Sequence, residues 1–328
     1  MERVTLSPYA TLSVNTKGRE REEEQCDVRP VFQRDRDRIL HCKAFRRLKN
    51  KTQVFLTPKG DHYRTRLSHT LEVSQNARTI AKALRLNEDL VEAIALGHDM
   101  GHTPFGHAGE YVLNEICEDG FRHNEQSVRI VEKLEKNGMG LNLTWEVRDG
   151  ILNHQSKSMP HTVEGKVVRL SDKIAYVYHD VDDAIRAEIL TEDDIPSEIR
   201  KTLGFTTKQR LNTLIHNVIM NSMDQDDIRM SADIQEAMFE LRHFMFDHVY
   251  TNPIAKGEEV KAKAMIRQLF GFYKDHIEFL PEKYLAMLDE GEKTERVICD
   301  YIAGMTDQYA ITKFSEYFLP QAWQVDGY

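Results

Sequence analysis

The chain has 328 residues, a formal net charge of −9, 41% hydrophobic and 30% charged residues, the balance of an ordinary globular protein long enough for a full core. The acidic surplus excludes a protein whose whole surface is built to hold nucleic acid, and no apolar run approaches the roughly 20 residues that span a bilayer. The N-terminus lacks the pattern of a cleaved leader, and Cys26, Cys42, Cys117 and Cys299 form no CxxC pair, so reduced thiols in a cytoplasmic protein are expected rather than disulfides or a thiolate zinc site.

Residues 1–30 are polar and irregular and read as an arm lying on the body or on a neighbouring subunit. The acidic runs REREEEQ and MDQDDI read as solvated surface. From Arg34 onward the periodicity is helical almost throughout, which predicts an all-α protein: a core over 31–255 and a helical region over 256–328 packed on it. A first helix, about Ser68 to Leu84, puts His69, Val73, Ala77, Ile80 and Leu84 on one face. A second starts at Asn87, a good N-cap followed by Glu88 and Asp89; its apolar face carries Leu90, Val91, Ile94 and Ala95, and it delivers His98 and Asp99 at its C-terminal end. Gly101 and Pro104 then break the pattern. A third helix, about Val163 to Leu190, has the apolar stripe Val167, Leu170, Ile174, Val177, Val181 and Ile185, while Asp172, Tyr176 and Asp180 recur every fourth residue on another face. Lys208–Met223, Ala232–Val249 and Thr294–Lys313 also read as amphipathic helices.

A histidine on an apolar helix face is most often a core residue, and an adjacent His-Asp pair is common. Their combination points further. A carboxylate such as Asp172 set among aliphatic residues is costly to bury unless something compensates. If the three helices converge, His69, His98, Asp99 and Asp172 place two imidazoles and two carboxylates around a cation. That donor set suits Mn²⁺, Fe²⁺, Co²⁺, Ni²⁺ or Mg²⁺ and leaves octahedral positions for water and a phosphate oxygen, as a catalytic site requires. The following stretch, HDMGHTPFGHAGE, adds His102, His107 and Glu110, with glycines and a proline that bend the backbone. His107 with Glu110 is the expected acid/base pair, since imidazole moves protons near neutral pH and a carboxylate orients it.

The ordered set His69, His98-Asp99, Asp172 resembles the H…HD…D signature of HD-domain phosphohydrolases. More narrowly, PVFQRDRDRILHCKAFRRLKNKTQVF, YRTRLSHTLEV, LGHDMGHTPFGHAGE, GFRHNEQSVRIVE, RLSDKIAYVYHDVDDAI and LRHFMFDHVY, in that order over residues 5–255, resemble the bacterial deoxyguanosinetriphosphate triphosphohydrolase family; the last seventy or so residues match it weakly. The resemblance implies an HD-domain helical bundle that hydrolyses deoxynucleoside triphosphates to deoxynucleoside and tripolyphosphate. It makes His69, His98, Asp99 and Asp172 the ligands of a divalent metal, and His107 and Glu110 the catalytic pair. His102 and His123 become further active-site histidines. Glu125 stands where many relatives have alanine and reads first as a member of the proton relay, with a simple surface substitution as the alternative. Gln53 and Asp180 are implied contacts of the sugar 3′-hydroxyl, and Tyr176 the wall against the deoxyribose. Arg66 and Lys173 are the expected phosphate ligands, a forked donor and a point charge; Arg46, Arg47, Lys49 and Lys51 read equally as further neutralising charges or as solvated surface. A homo-oligomer, with a hexamer built from dimers among the forms implied, is expected. Two other readings stay open: an HD phosphohydrolase of monophosphates, cyclic dinucleotides or alarmones, and a regulator that binds single-stranded DNA through the basic segment Arg34–Lys51. The absence of a Walker-type glycine loop argues against a P-loop NTPase.

Overall fold

A computed structural model describes residues 1–53, 63–250 and 253–320, the side chains of 253–256 excepted; Val54 and Phe55 of the KTQVF stretch and residues 321–328 of the C-terminal region lie outside the described residues. The helices that position the site are, in chain order, α1 (Val31–Leu40), α2 (Arg66–Ala83), α3 (Glu88–Gly97), α4 (His107–Ile116), α5 (His123–Arg129), α6 (Trp145–Leu152), α7 (Val163–Arg186), α8 (Thr207–Ser222), α9 (Ala232–Met245), α10 (Pro253–Asp275), α11 (Thr294–Ala303) and α12 (Asp307–Phe318). No strand occurs among the described residues; an isolated antiparallel bridge joins Thr52 to Thr65. No helix there is long and apolar enough to cross a membrane.

Helix α3 starts where the sequence supplies a cap: the Asn87 side chain accepts the Leu90 amide at 3.3 Å, and Glu88 and Asp89 occupy the first turn, where the helix dipole favours them. Its burial exceeds the single apolar face read from the sequence. Leu90, Val91, Ala93, Ile94, Ala95, Leu96 and Gly97 are all buried, because α1, α2, α6 and α7 pack around it. The extra sides are lined by alanine and glycine, which let neighbouring helices come close. Helix α2 is launched by Thr65, whose amide donates to the Ser68 hydroxyl at 2.9 Å. Helix α7 is launched by Thr162, which accepts the Gly165 amide at 3.0 Å, and it buries Val167, Val168, Ile174, Val177 and Val181. The helix expected over Thr294–Lys313 is two. It stops at Ala303, before Gly304, and restarts at Asp307, where Thr306 accepts the Tyr309 amide at 3.2 Å; a glycine followed by a strong N-cap residue overrides the continuous apolar pattern.

The apolar interior divides into two clusters. One surrounds α3. In the other, Phe105, Ala108, Val112, Leu113 and Phe121 pack with Leu269, Tyr273, Val297, Ile298 and Ile302, so α4 is anchored on the C-terminal helices. The N-terminal arm lies on its own chain. Thr11 donates its amide and hydroxyl to Glu164 at 2.8 Å each, Thr16 and Lys17 donate to Glu146 at 2.7 Å, and Arg19 pairs with Asp35.

Between α3 and α5 the backbones meet at Gly101. A Cβ there would sit 2.1 Å from the His123 carbonyl oxygen and 2.3 Å from the Ser127 amide nitrogen, atoms that cannot rotate aside. Gly101→Ala is expected to destabilise the protein by about 3 kcal/mol, seen as a lower urea midpoint at constant slope; an unchanged midpoint would show that the two helices separate freely.

Candidate active site

Three helices deliver the ligand set. His69 lies one turn into α2, His98 and Asp99 follow the last turn of α3, and Asp172 stands in the middle of α7. His69 Nε2 is 3.1 Å from Asp172 Oδ1 and 4.0 Å from Asp99 Oδ2. His98 Nε2 is 3.7 Å from Asp172 Oδ1 and 3.5 Å from Asp99 Oδ1. Donor atoms sharing an octahedral ion at about 2.1 Å lie about 3 Å apart when adjacent and about 4 Å apart when opposite, so these spacings fit a common cation. His98 Nδ1 donates to the Ala95 carbonyl at 2.7 Å, which leaves the lone pair on Nε2; that atom is buried and has no hydrogen-bond partner among the described residues. An orphaned buried acceptor is expensive, and a cation would satisfy it. Burial works against a charged His98, yet Asp99 and Asp172 outweigh it and raise its pKa to about 9: the two carboxylates call for positive charge at this point, which a proton on Nε2 supplies when no cation is bound and a cation would supply in its place. Arg66, also buried, contacts Asp99 Oδ2 through Nη1 at 2.9 Å.

Beside this cluster runs a connected set of histidines. Glu110, in the first turn of α4, lies 3.1 Å from His107 Nδ1 and 2.9 Å from His123 Nδ1, and it also accepts the His123 amide at 2.9 Å. Burial would raise this carboxyl group, but His123 and His107 outweigh it and hold it far below the usual carboxylate range. The His102 ring stacks on His123 with centroids 3.8 Å apart, and its Nε2 is 3.1 Å from Asp99 Oδ1. A polar path therefore leads from Asp99 through His102 and His123 to Glu110 and His107. His107 is exposed at its outer end, whereas burial, with Arg66 and His123 nearby, pushes His102 well below its ordinary pKa.

A cavity of about 1010 Å³ opens on these groups, with His107, Glu110 and His123 on one wall and Asp172, Lys173 and Tyr176 on another. Lys173 is pushed down to about 8 by burial and by Arg169 and Arg242. Arg66 stands behind Asp99. Asp180 does not line the cavity as the helical repeat suggested; it is fully buried one turn beyond Tyr176, accepts the Tyr250 hydroxyl on Oδ2, and is pushed up to about 8 by burial. The Gln53 side-chain oxygen is buried and without a partner among the described residues.

Some groups named from the sequence point elsewhere. Glu125 is exposed, with Arg122 at 3.8 Å; residues two apart on a helix face away from each other, so it leaves the relay to His123. Lys51 is buried, donating to the His102 and Ala303 carbonyls, and Arg47 donates to the Gly304 carbonyl at 2.9 Å, so these two tie the chain together and do not face the cavity. Arg46 and Lys49 are exposed outside it. Sequence reading missed His154, whose Nε2 is 3.3 Å from His123 Nε2, and Arg242, at the cavity wall 5.9 Å from the Tyr176 ring. His154 had a signal. It ends an apolar helix as His98 does, and both bond the carbonyl three residues back at 2.7 Å.

The HD domain model matches residues 66–177, which contain all four ligand candidates, and a phosphohydrolase-associated domain model matches residues 228–316. A deoxyguanosinetriphosphate triphosphohydrolase-like protein of Caldanaerobacter subterraneus subsp. tengcongensis is 57% identical over 98% of this chain and 95% of its own length. One from Clostridium perfringens is 50% identical over 98% of this chain and 96% of its own. Among solved structures, a phosphohydrolase from Bacteroides thetaiotaomicron has a similar fold, with TM-score 0.52, 18% identity, and coverage of 87% of this chain and 68% of its own.

Proposed function

With identity of half or more over nearly its whole length, the chain belongs to the deoxyguanosinetriphosphate triphosphohydrolase-like family of HD phosphohydrolases, and we propose that it hydrolyses deoxynucleoside triphosphates at the α-phosphorus, dGTP among them, releasing deoxynucleoside and tripolyphosphate. The observation that carries the reading is a nucleotide-sized cavity lined both by Asp172, which stands against His69 and His98 in the ligand cluster, and by the histidine relay centred on Glu110. A divalent cation held by His69, His98, Asp99 and Asp172 would polarise the phosphoryl group and acidify an attacking water. Lys173 at the wall and Arg66 behind Asp99 supply charge for the phosphates. Glu110 holds His107 at the mouth of the cavity, oriented to give its proton to the departing 5′-oxygen as the P–O bond breaks. Tyr176 offers a flat apolar wall to the deoxyribose. The nucleic-acid reading has less support, because in the basic segment Arg36 pairs with Asp37 at 2.9 Å and Arg38 with Glu23 at 2.7 Å.

A panel of Mn²⁺, Mg²⁺ and Co²⁺ against each dNTP and rNTP, with chromatographic detection of products, tests the reading. Tripolyphosphate and deoxynucleoside in equal amounts are expected; orthophosphate from monophosphates, with dNTPs untouched, would overturn it in favour of another HD chemistry. A pH dependence follows from Lys173. Its folded pKa of about 8 means that the cation is present below that pH and lost above it, so kcat/KM should fall as pH rises through about 8. Lys173→Arg should move that limb to higher pH, and a limb unmoved by the substitution would assign it to another group.

A further inference from the structure

We propose that Asp307, the first residue of α12, is a positioning residue that sets the catalytic loop from a segment about 200 residues away in sequence. Its carboxylate is buried, and each hydrogen bond it accepts from another segment comes from a loop of the site. Oδ1 accepts the Phe105 amide at 2.9 Å; Oδ2 accepts the Thr52 amide at 2.8 Å and the Thr52 hydroxyl. Phe105 has φ +61° and Gly106 φ +55°. The first is a conformation that a bulky L side chain rarely adopts, and it persists only when the surroundings fix it. The very next residue is His107, and Glu110 follows within the same turn, so the Phe105 amide sets where α4 begins and how both side chains are aimed. A Cβ at Gly106 would meet Arg66 Nη2 at 2.9 Å, which shows how closely this turn is fitted to the guanidinium behind Asp99. The other bonds reach the remaining wall. Thr52 pairs with Thr65, the residue that launches α2 with Arg66 and His69, and it precedes Gln53. One carboxylate of the phosphohydrolase-associated region thus joins the segment that starts the metal-binding helix α2 to the segment that starts the relay helix α4.

The consequence for catalysis rests on the function proposed above; the positioning itself does not. The test uses the full-length protein with Asp307→Ala and Asp307→Asn, and Glu292→Gln as the control. Glu292 contacts Arg129 at 2.8 Å and Lys133 across the same seam without touching either loop. In Asp307→Ala, amide hydrogen exchange over residues 102–110 is expected to accelerate while α3 keeps its protection. Bound metal should be retained, and kcat for dGTP should fall on the order of 10²-fold through misplacement of the relay, with KM little changed. Asp307→Asn, whose amide oxygen still accepts one of the loop amides, should show the same pattern to a smaller degree, and it carries the test if the alanine variant does not fold. Unaltered exchange over 102–110 in both variants would overturn the proposal. So would equal slowing by Glu292→Gln, because the loss would then report the seam and not the loop. If the wild-type protein turns over no dNTP, the functional reading fails, while the exchange data still decide the role of Asp307.

Discussion

Asp172→Ala is expected to abolish divalent-metal binding and to lower kcat for dNTP hydrolysis by about 10³-fold or more, since a polarising cation contributes several kcal/mol to transition-state stabilisation. Asp172 Oδ1 is the atom that approaches both imidazoles, 3.1 Å from His69 Nε2 and 3.7 Å from His98 Nε2, and α7 brings no second carboxylate to them at that level. Its loss also removes one of the two negative groups that hold His98 up to about 9, so the remaining three donors would face a weaker field. Metal content after gel filtration and a Mn²⁺ titration followed by electron paramagnetic resonance read the binding directly. A variant that keeps one equivalent of metal and turns over within tenfold of wild type would remove Asp172 from the ligand set.

The second large effect is expected at Glu110. Glu110→Gln should lower kcat by about 10²- to 10⁴-fold, the range of a lost acid/base function, while metal binding stays intact. The carboxylate is shared: it holds His107 Nδ1 at 3.1 Å and His123 Nδ1 at 2.9 Å and also accepts the His123 amide, and glutamine removes the negative charge and turns one of the two acceptor oxygens into an NH₂ donor. His107→Ala removes one arm of this unit and should cost no more than Glu110→Gln. The double variant should be little worse than Glu110→Gln alone, because groups that act as a unit are far from additive. Loss of metal in Glu110→Gln, or additive effects in the double variant, would separate Glu110 from the relay.

The ligand helices were legible because the evidence for them is local. Asn87 caps α3, the apolar stripe from Val167 to Ile185 marks α7, and the turn residues after Asp99 stop the helix where His98 and Asp99 are needed. Convergence on one point was an inference from the cost of burying Asp172; the side chain is instead 26% exposed and lines the cavity, so its distances to His69 and His98, not its burial, bring it into the cluster. What the sequence could not display is direction over long separations. Asp180 continues the Asp172–Tyr176 repeat, yet α7 sinks into the core one turn further on and the carboxyl group meets Tyr250. Lys51 reads as a free cation among other basic residues; its burial depends on carbonyls at residues 102 and 303, which nothing near Lys51 announces. Gly304 lies inside an otherwise continuous apolar pattern, which conceals the helix break there.

The arm at the front of the chain constrains what can be changed there. Thr11, Thr16 and Arg19 each donate to an interior carboxylate, Glu164, Glu146 and Asp35 in turn, and removing these donors together would leave buried carboxylates under-satisfied, a costly change in a protein interior. Met1, by contrast, is fully exposed. An affinity tag or fluorescent fusion joined ahead of Met1 should therefore be harmless, whereas trimming the first twenty or so residues to improve crystallisation would dissolve the fold it was meant to rigidify.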